Sequence, residues 1–478
     1  MNWESLLCPE RRRPTKRLRE ERRPEIVRDY GRAVFSTPVR RLQDKAQVFP
    51  LEPIDAVRTR LTHSLEVSSV ARDLAHAVAK RLLNEGKITS AEQAYEIESI
   101  AATAGLVHDI GNPPFGHAGE QAIQDWFKEH PEVLEPIAGV MGGRLKEDLL
   151  NFEGNAQTLR LLAKLQVLSD RYGLNLTYAT LSAACKYTAN SLEVGKPKDW
   201  HEHAKLGFFA SEDDLVADVR NKTGTEGARN PITFLVEASD DIVYAVVDIE
   251  DGVKKGVISW GESVDKVSQR DAHRREVESG HLRSILNEHA AKIGESLLED
   301  TAGKAEKEID GCGLELAGRT RDEAIVQYFR TLVIGKAVPA VVETFCENYE
   351  AIMAGNYHGE LLNDSSSVAE LYRVLKDEVG RKHVYPAKGN LRLELLGRKV
   401  IYDLMDLFYT VDSKAKTRKF TGKAFHLLSQ NYRTVFANPM GIENTLPCEY
   451  RRLLLITDYL CGMTDTFATN LHRELFNG

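Results

Sequence analysis

Apolar residues in this chain recur every three to five positions almost from end to end, and that spacing leaves packed helices as the main way to bury them. The stretch "SLEVSSVARDLAHAVAKRLL" sets Leu65, Val70, Leu74, Val78 and Leu82 along one stripe, which predicts an amphipathic helix from near Ser64. "AYEIESIAATAGLVHDIG" predicts a second helix, apolar at Ile97, Ile100, Ala101, Ala104 and Val107. It must stop near Gly111, because Pro113 and Pro114 cannot continue it. A third is expected over 116–128. Further helices are expected in "NFEGNAQTLRLLAKLQVL", "TLSAACKYTA" and the long "ITFLVEASDDIVYAVVDIEDGVKKG", then over 320–352, 368–380 and 449–475. The one exception is a small β-hairpin around 383–402, where "HVYPAKGNLRLELLGRKVI" mixes alternation with turn residues. No internal repeat or low-complexity linker interrupts the pattern. With 478 residues and 42% hydrophobic content, the expected fold is one large all-α body.

Charge narrows the partners. Charged residues make up 28% of the chain and the formal net charge is −8, so no global pull toward nucleic acid or anionic membrane is expected. No 18-residue apolar stretch stands out, so no membrane-spanning helix is expected. The N-terminus, "MNWESLLCPERRRPTKRLREERR", lacks the apolar segment of a secretory signal. Six scattered cysteines without a CxxC pair fit a reducing cytoplasm rather than a disulfide framework. The basic run of Arg11, Arg12, Arg13, Lys16, Arg17, Arg19, Arg22 and Arg23 has two readings. It is a solvated arm, or it contacts the phosphates of DNA or nucleotide or an anionic neighbouring subunit.

The chemistry concentrates in "GLVHDIGNPPFGHAGEQ", from Gly105 to Gln121. His108 and Asp109 adjoin where the second helix must unwind, so both side chains can enter one cavity. A divalent cation that also holds phosphate oxygens needs a few imidazole and carboxylate ligands and open positions. Two ligands are too few, and partners are available. His63, in "RTRLTHSLEV", is by itself an ordinary histidine at a helix start. In "EASDDIVYAVVDIED", Asp240, Tyr244 and Asp248 fall at i, i+4 and i+8 on one helix face. A plain solvent-facing stripe would not put a tyrosine among the carboxylates.

His63, His108–Asp109 and Asp240 together resemble the H…HD…D signature of the HD-domain metal-dependent phosphohydrolases. The surrounding words are more specific. "HDIGNPPFGHAGEQAI", "NFEGNAQTLRLL", "EASDDIVYAVVDIEDG" and "ITDYLCGMTDTFA" resemble the bacterial deoxyguanosine triphosphate triphosphohydrolases, which are related to the mammalian SAM-and-HD-domain dNTPase. The resemblance runs from "YGRAVFSTPVRRLQDKAQVFPLE" to the C-terminal "DYLCGMTDTFATNLHRELF". It implies an HD helical core over 31–275, a basic N-terminal arm over 1–30, and a helical C-terminal portion over 276–478. That last portion would complete the nucleotide pocket and the oligomer contacts.

The implied activity is hydrolysis of dGTP, or of several dNTPs, at the α-phosphorus, giving deoxynucleoside and triphosphate and so controlling dNTP pools. The alternative on the same frame is a 5′-nucleotidase or phosphodiesterase. By resemblance, His63, His108, Asp109 and Asp240 hold Mg²⁺ or Mn²⁺, and Asp241 is a helix-surface acid. His117 is assigned to proton transfer. Glu120, at i+3 from it, is expected to raise the pKa of its imidazole, and Glu153 assists. The mammalian enzyme has a His just before that acid, where this chain has Phe152, so no second catalytic His is implied. Arg60 is assigned to phosphate, Gln43 and Asp248 to the sugar 3′-hydroxyl, and Tyr244 to stacking under the sugar where a 2′-hydroxyl would clash. Lys186 and Tyr187, in "ACKYT", are either triphosphate contacts or a pair at the edge of the core. The expected partners are the dNTP, sister copies in a hexamer or tetramer, and single-stranded DNA or an effector nucleotide, with no membrane. The expected location is the cytoplasm.

Overall fold

The helical pattern comes from local chemistry that can be followed element by element in a computed structural model, which describes residues 1–14, 23–52, 54–166, 172–261, 281–362, 366–410 and 420–476. Helix α1 (Arg60–Asn84) starts with a capping box in which Thr59 and Thr62 satisfy each other's free backbone N–H groups. Helix α2 (Ala91–Val107) is capped by Ser90, whose side chain accepts from the Gln93 N–H. Helix α3 is Gly116–Glu129, and the short α4 (Gly154–Arg160) runs on into a π-helical turn, Leu161–Leu165. Helix α5 (Pro231–Lys255) begins with an Asn230 cap and proline in its first turn and ends at Gly256. Helices α6 (Gly318–Glu347), α7 (Lys388–Tyr409) and α8 (Cys448–Cys461) follow. Among the described residues, strand pairing is limited to isolated bridges such as Arg11–Thr177 and Ala46–Thr59.

Two apolar cores result. One is built on α1, α2, α5 and α6, and the other on α3, α7 and α8 with the turn after α4. Each draws on early and late parts of the chain. Helix α2 gives Ile97, Ile100, Ala101 and Ala104 to the first core and Leu106 and Val107 to the second, so His108 emerges at their junction. Each fully buried Leu or Val contributes about 1.5–3 kcal/mol by leaving water, which fixes both helices firmly. Helices α1 and α2 pack unusually close. A Cβ on Gly105 would lie 3.0 Å from the Ser68 Cα, and Ser68 Oγ donates to the Ala102 carbonyl at 2.7 Å. This proximity brings the His63 and His108 rings to 5.4 Å between centroids.

Three expectations change. The hairpin around 383–402 is helix: a π-helical segment, Val374–Val384, is followed by α7. The apparent alternation of Leu391 and Leu395 is exposed surface, and the buried face is Gly397, Val400, Ile401, Leu404 and Phe408 at helical spacing. Second, among the described residues one helix is long and apolar enough to cross a membrane by length and composition: α6, with mean hydropathy 1.4 over an 18-residue window. Its inner face is core, with Phe329, Val333, Ala337, Val341 and Phe345 buried against α1 and α5, and its Arg330 pairs with Glu250 at 2.5 Å. Third, Arg11 is no solvated arm residue. It is buried, with its guanidinium 2.8 Å from Glu25 and 2.6 Å from Asp29, and Arg12 lies over the Tyr172 ring. Lys16, Arg17, Arg19 and Arg22 lie outside the described residues.

Candidate metal centre and the cavity above it

Helices α1, α2 and α5 deliver four ligand-type side chains to one point. His63, in the first turn of α1, is fully buried, and its Nε2 lies 3.1 Å from Asp240 Oδ1. His108 closes α2. Its Nδ1 donates to the Gly105 carbonyl at 2.7 Å, which leaves Nε2 as a lone-pair acceptor. That Nε2 is buried without a hydrogen-bond partner, 3.5 Å from Asp109 Oδ2 and 3.6 Å from Asp240 Oδ1. An orphaned imidazole nitrogen costs about 1–3 kcal/mol, so it persists where something else completes it. Two neutral imidazole nitrogens and two carboxylates suit a divalent cation that keeps open positions for oxygen ligands.

The electrostatics agree. Burial opposes the charge on Asp109, but the Arg60 guanidinium and the nearby histidines outweigh it and hold the carboxyl well below the usual range. Asp240 is likewise held well down, against burial, by His108, His63 and Lys186. Asn112 Nδ2 donates to Asp109 Oδ1 at 2.7 Å, and Arg60 donates to Oδ2, which orients the carboxylate from both sides. Gly116 lets Arg60 lie there: it sits at φ +57°, and a Cβ would meet Arg60 Nη2 at 2.5 Å. The C-terminal "DYLCGMTDTFA" braces this loop from behind. Asp465 accepts from the Phe115 and Ala46 N–H groups at 2.9 and 3.0 Å, and Lys45 Nζ donates to the Asn112 and Cys461 carbonyls at 2.5 and 2.7 Å.

Above the ligands opens a cavity of about 670 Å³, room for a nucleotide. Arg60, His117, Glu153, Lys186, Tyr187 and Tyr244 line it, as expected, together with Gln47, His201, Lys205, Asp241, Glu360, Lys376, Arg381, Tyr385, Asn390 and Glu394. Several expectations need correction. Gln43 is exposed and outside the cavity; Gln47, past the extended Lys45, lines it and has a buried Oε1 with no partner. Asp248 lies behind the wall rather than on it. Its Oδ2 accepts from the Tyr385 hydroxyl at 3.0 Å, and burial pushes its carboxyl well above the usual range. Tyr385 is therefore the group that Asp248 orients, and its ring stacks on Tyr244 at 6.0 Å. Asp241 is a cavity residue, not a surface acid: it lies 3.5 Å from Lys376, and burial pushes it up to about 6.

The proton-transfer pair also differs from expectation. His117 opens into the cavity with 82% of its side chain exposed, 4.0 Å from Glu120. Desolvation in the cleft, with Arg60 and Lys205, lowers its pKa, so Glu120 does not hold it protonated. Glu120 is buried against Glu153, and burial with that like charge pushes it up to about 8. Lys205 Nζ bridges the pair, 3.1 Å from Glu153 and 3.8 Å from Glu120. Sequence reasoning missed Lys205, Lys376, Arg381 and Tyr385. The clearest available signal was the basic and aromatic cluster in "KDEVGRKHVY", which spans the end of the helix expected over 368–380 and the start of the hairpin expected over 383–402.

Comparison with known proteins agrees with this geometry. Residues 60–171 match the HD domain family. The chain is 35% identical to a deoxyguanosinetriphosphate triphosphohydrolase-like protein of Listeria monocytogenes over 99% of both chains, and equally to one of Listeria innocua. It is 34% identical to the deoxyguanosinetriphosphate triphosphohydrolase of Yersinia pseudotuberculosis, over 94% of this chain and 92% of the relative. An all-α frame that brings His63, His108, Asp109 and Asp240 together under a nucleotide-sized cavity, with such similarity over nearly its whole length, belongs to the HD-domain deoxyguanosinetriphosphate triphosphohydrolase family.

Proposed function

We propose that this chain hydrolyses dGTP at the α-phosphorus, releasing deoxyguanosine and intact triphosphate. The observation that carries the reading is the union of the four-ligand centre with a cavity whose walls divide into a cationic part and an aromatic part. Arg60, Lys186 and Lys205 supply the cations for a polyphosphate, and Tyr187, Tyr244 and Tyr385 supply the flat surfaces for a nucleoside. His63, His108, Asp109 and Asp240 would hold Mg²⁺ or Mn²⁺, which when bound polarises phosphoryl oxygens and neutralises their charge. A water oxygen forms the new bond to the α-phosphorus while the bond to the sugar 5′-oxygen breaks. That oxygen leaves poorly without a proton, and His117, open to the cavity, is placed to give one. Polyphosphate charge beside the imidazole offsets the cations that depress it in the free protein. Glu120 and Glu153 lie behind it and hold Lys205. Tyr244 lies under the sugar and excludes a 2′-hydroxyl. A cytoplasmic homo-oligomer, a hexamer or a tetramer, is part of this reading, and the six free thiols suit a reducing compartment.

The test incubates the full chain with each of the four dNTPs and four NTPs, with Mg²⁺ or Mn²⁺, in ¹⁸O-water. We expect deoxyguanosine and triphosphate from dGTP, with the label in the triphosphate. Pyrophosphate or single phosphate as the first product would overturn this and favour the nucleotidase or phosphodiesterase reading.

A further inference from the structure

A third histidine, besides His108 and His117, lines the same cavity and serves none of the roles above. His201 sits in the short turn His201–His203 with each ring nitrogen on a different carboxylate. Its Nε2 lies 2.7 Å from Glu237 Oε1, and its Nδ1 lies 3.2 Å from Glu360 Oε1. The contact with Glu237 is a hydrogen bond, and the contact with Glu360 is an ion pair that exists only while the imidazole carries its second proton. Both ring nitrogens thus face a carboxylate, the arrangement that suits a protonated imidazole.

The charged groups facing His201 come from four segments. On α5, Glu237 is buried and also accepts from Arg229 Nη1 at 2.6 Å. Arg229 lies on the stretch leading into α5. The 186–188 segment presents Tyr187, whose ring is 6.2 Å from the imidazole, and Lys186, 3.7 Å from Glu237. The loop over 356–362 presents Glu360, and His358 of that loop is itself tied back to Glu202 at 2.6 Å. The two histidine–carboxylate pairs therefore run in opposite directions across one seam. The His201 N–H donates to the His358 carbonyl at 3.1 Å, and Trp200 stacks on the His358 ring at 4.0 Å, closing the seam further.

We propose that His201 is a positioning residue for the polyphosphate. As an imidazolium it ties Glu360 and its loop to the cavity wall, keeps two carboxylates turned away from the substrate, and makes substrate binding weaken above the ordinary histidine range. Loss of its proton frees one carboxylate. Glu360, about a quarter exposed, is the one that can move, because Glu237 keeps Arg229 and Lys186. The cavity wall then loses one positive charge and gains an unpaired negative one, both adverse to a polyanion. Burial works against the imidazolium, but the bond to Glu237 and the charges of Glu237 and Glu360 raise the pKa of His201 above its ordinary value. The bond from His201, with the charges of Lys186 and Arg229, holds Glu237 down at about 2 despite its burial, so the acceptor stays ionised throughout.

This inference rests on the triphosphate reading, so its test has one arm that needs no turnover. In the first arm, KM and kcat for dGTP are measured on the full chain with excess Mn²⁺ from about pH 6 to about pH 9. Wild type is expected to lose affinity by about tenfold across the titration of His201, the size of one charge removed near a polyanion, with kcat little changed. His201→Arg, always charged and able to donate to both carboxylates, keeps the low KM and loses that pH limb. Glu360→Gln moves the limb to lower pH, because it removes a charge that stabilises the imidazolium. In the second arm, the His201 ring is titrated by NMR without substrate, with His201→Arg providing the assignment. Its midpoint should lie above the ordinary value of about 6.5 and fall in Glu360→Gln. A limb that persists unchanged in His201→Arg, or a midpoint that does not move in Glu360→Gln, overturns the proposal. Absence of dGTP turnover at every pH, alongside a raised midpoint that Glu360→Gln lowers, overturns the function and leaves the bridging imidazolium standing.

Discussion

Around Arg160 every guanidinium nitrogen has an acceptor, whereas around His108 a buried ring nitrogen has none. Arg160 reaches Asp458 through Nε at 2.8 Å and Nη2 at 2.9 Å, and Glu212 and Glu443 through Nη1 at 3.0 and 3.2 Å. Lys164 joins the same carboxylates. At the other pole, His63 Nδ1, His108 Nε2 and Arg60 Nε are all buried without partners. Both regions hold charge away from water. The first spends its donors on its own acceptors, so it staples α4 to α8 and has nothing left for a ligand. The second withholds its lone pairs, so it is incomplete by itself and ready for an ion and an anion. What separates a structural charge cluster from a functional one here is therefore unmet bonding capacity, not charge or burial.

Single substitutions can break that contrast. The largest effect is expected at the open pole. His63→Ala, His108→Ala, Asp109→Ala or Asp240→Ala should lower turnover by about 10³-fold or more, the several kcal/mol that a bound Lewis acid supplies, and should lower bound-metal stoichiometry. Asp241→Ala should keep the metal; loss of metal there but not in Asp240→Ala would shift the ligand register by one. At the closed pole, Arg160→Ala should cost about 3–5 kcal/mol of stability by stranding Asp458, Glu212 and Glu443, as read by denaturant unfolding. The folded fraction should still bind metal. Equal loss of metal affinity in Arg160→Ala would erase the distinction drawn above.

Next in size, His117→Ala should reduce kcat by about 10²-fold with KM nearly unchanged. A raised KM with kcat intact would make His117 a substrate contact. Tyr244→Ala should narrow the preference for dGTP over GTP by roughly tenfold while slowing dGTP less. The smallest effect concerns Glu120. Its pKa rises from 4.5 to about 8 on folding, so the folded state holds an extra proton in that window and stability falls as pH rises through it. Glu120→Gln removes the penalty. Its melting temperature relative to wild type should increase from about pH 5 to about pH 8, and a difference independent of pH would show that Glu120 is already ionised in the folded protein.

The four candidate ligands were named by family resemblance, and local signals supported only some of them. His108–Asp109 follows a helix that two prolines terminate, and Asp240 shares a helix face with Tyr244. Expectations failed where depth or distance in sequence mattered. Gln43 and Gln47 sit four residues apart in the same word, and the break from the Leu42–Asp44 turn into extended chain at Lys45 separates the exposed one from the one in the cavity. Asp248 follows Tyr244 at helical spacing, yet Tyr385, more than a hundred residues later, covers it. Glu120 lies beside His117 in sequence, but the charge that acts on it most is Glu153, at the start of α4, and with burial that like charge reverses its expected role.

The sequence by itself determined the all-α architecture and the helices that carry His63, His108 and Asp240, because helical periodicity and caps act over a few residues. Only the tertiary structure decided the protonation states and the cavity walls. A pKa depends on which charges lie within a few ångströms and how much water remains, and in this chain those neighbours (Lys205 for Glu153, Glu360 for His201, Tyr385 for Asp248) arrive from segments that no local pattern connects.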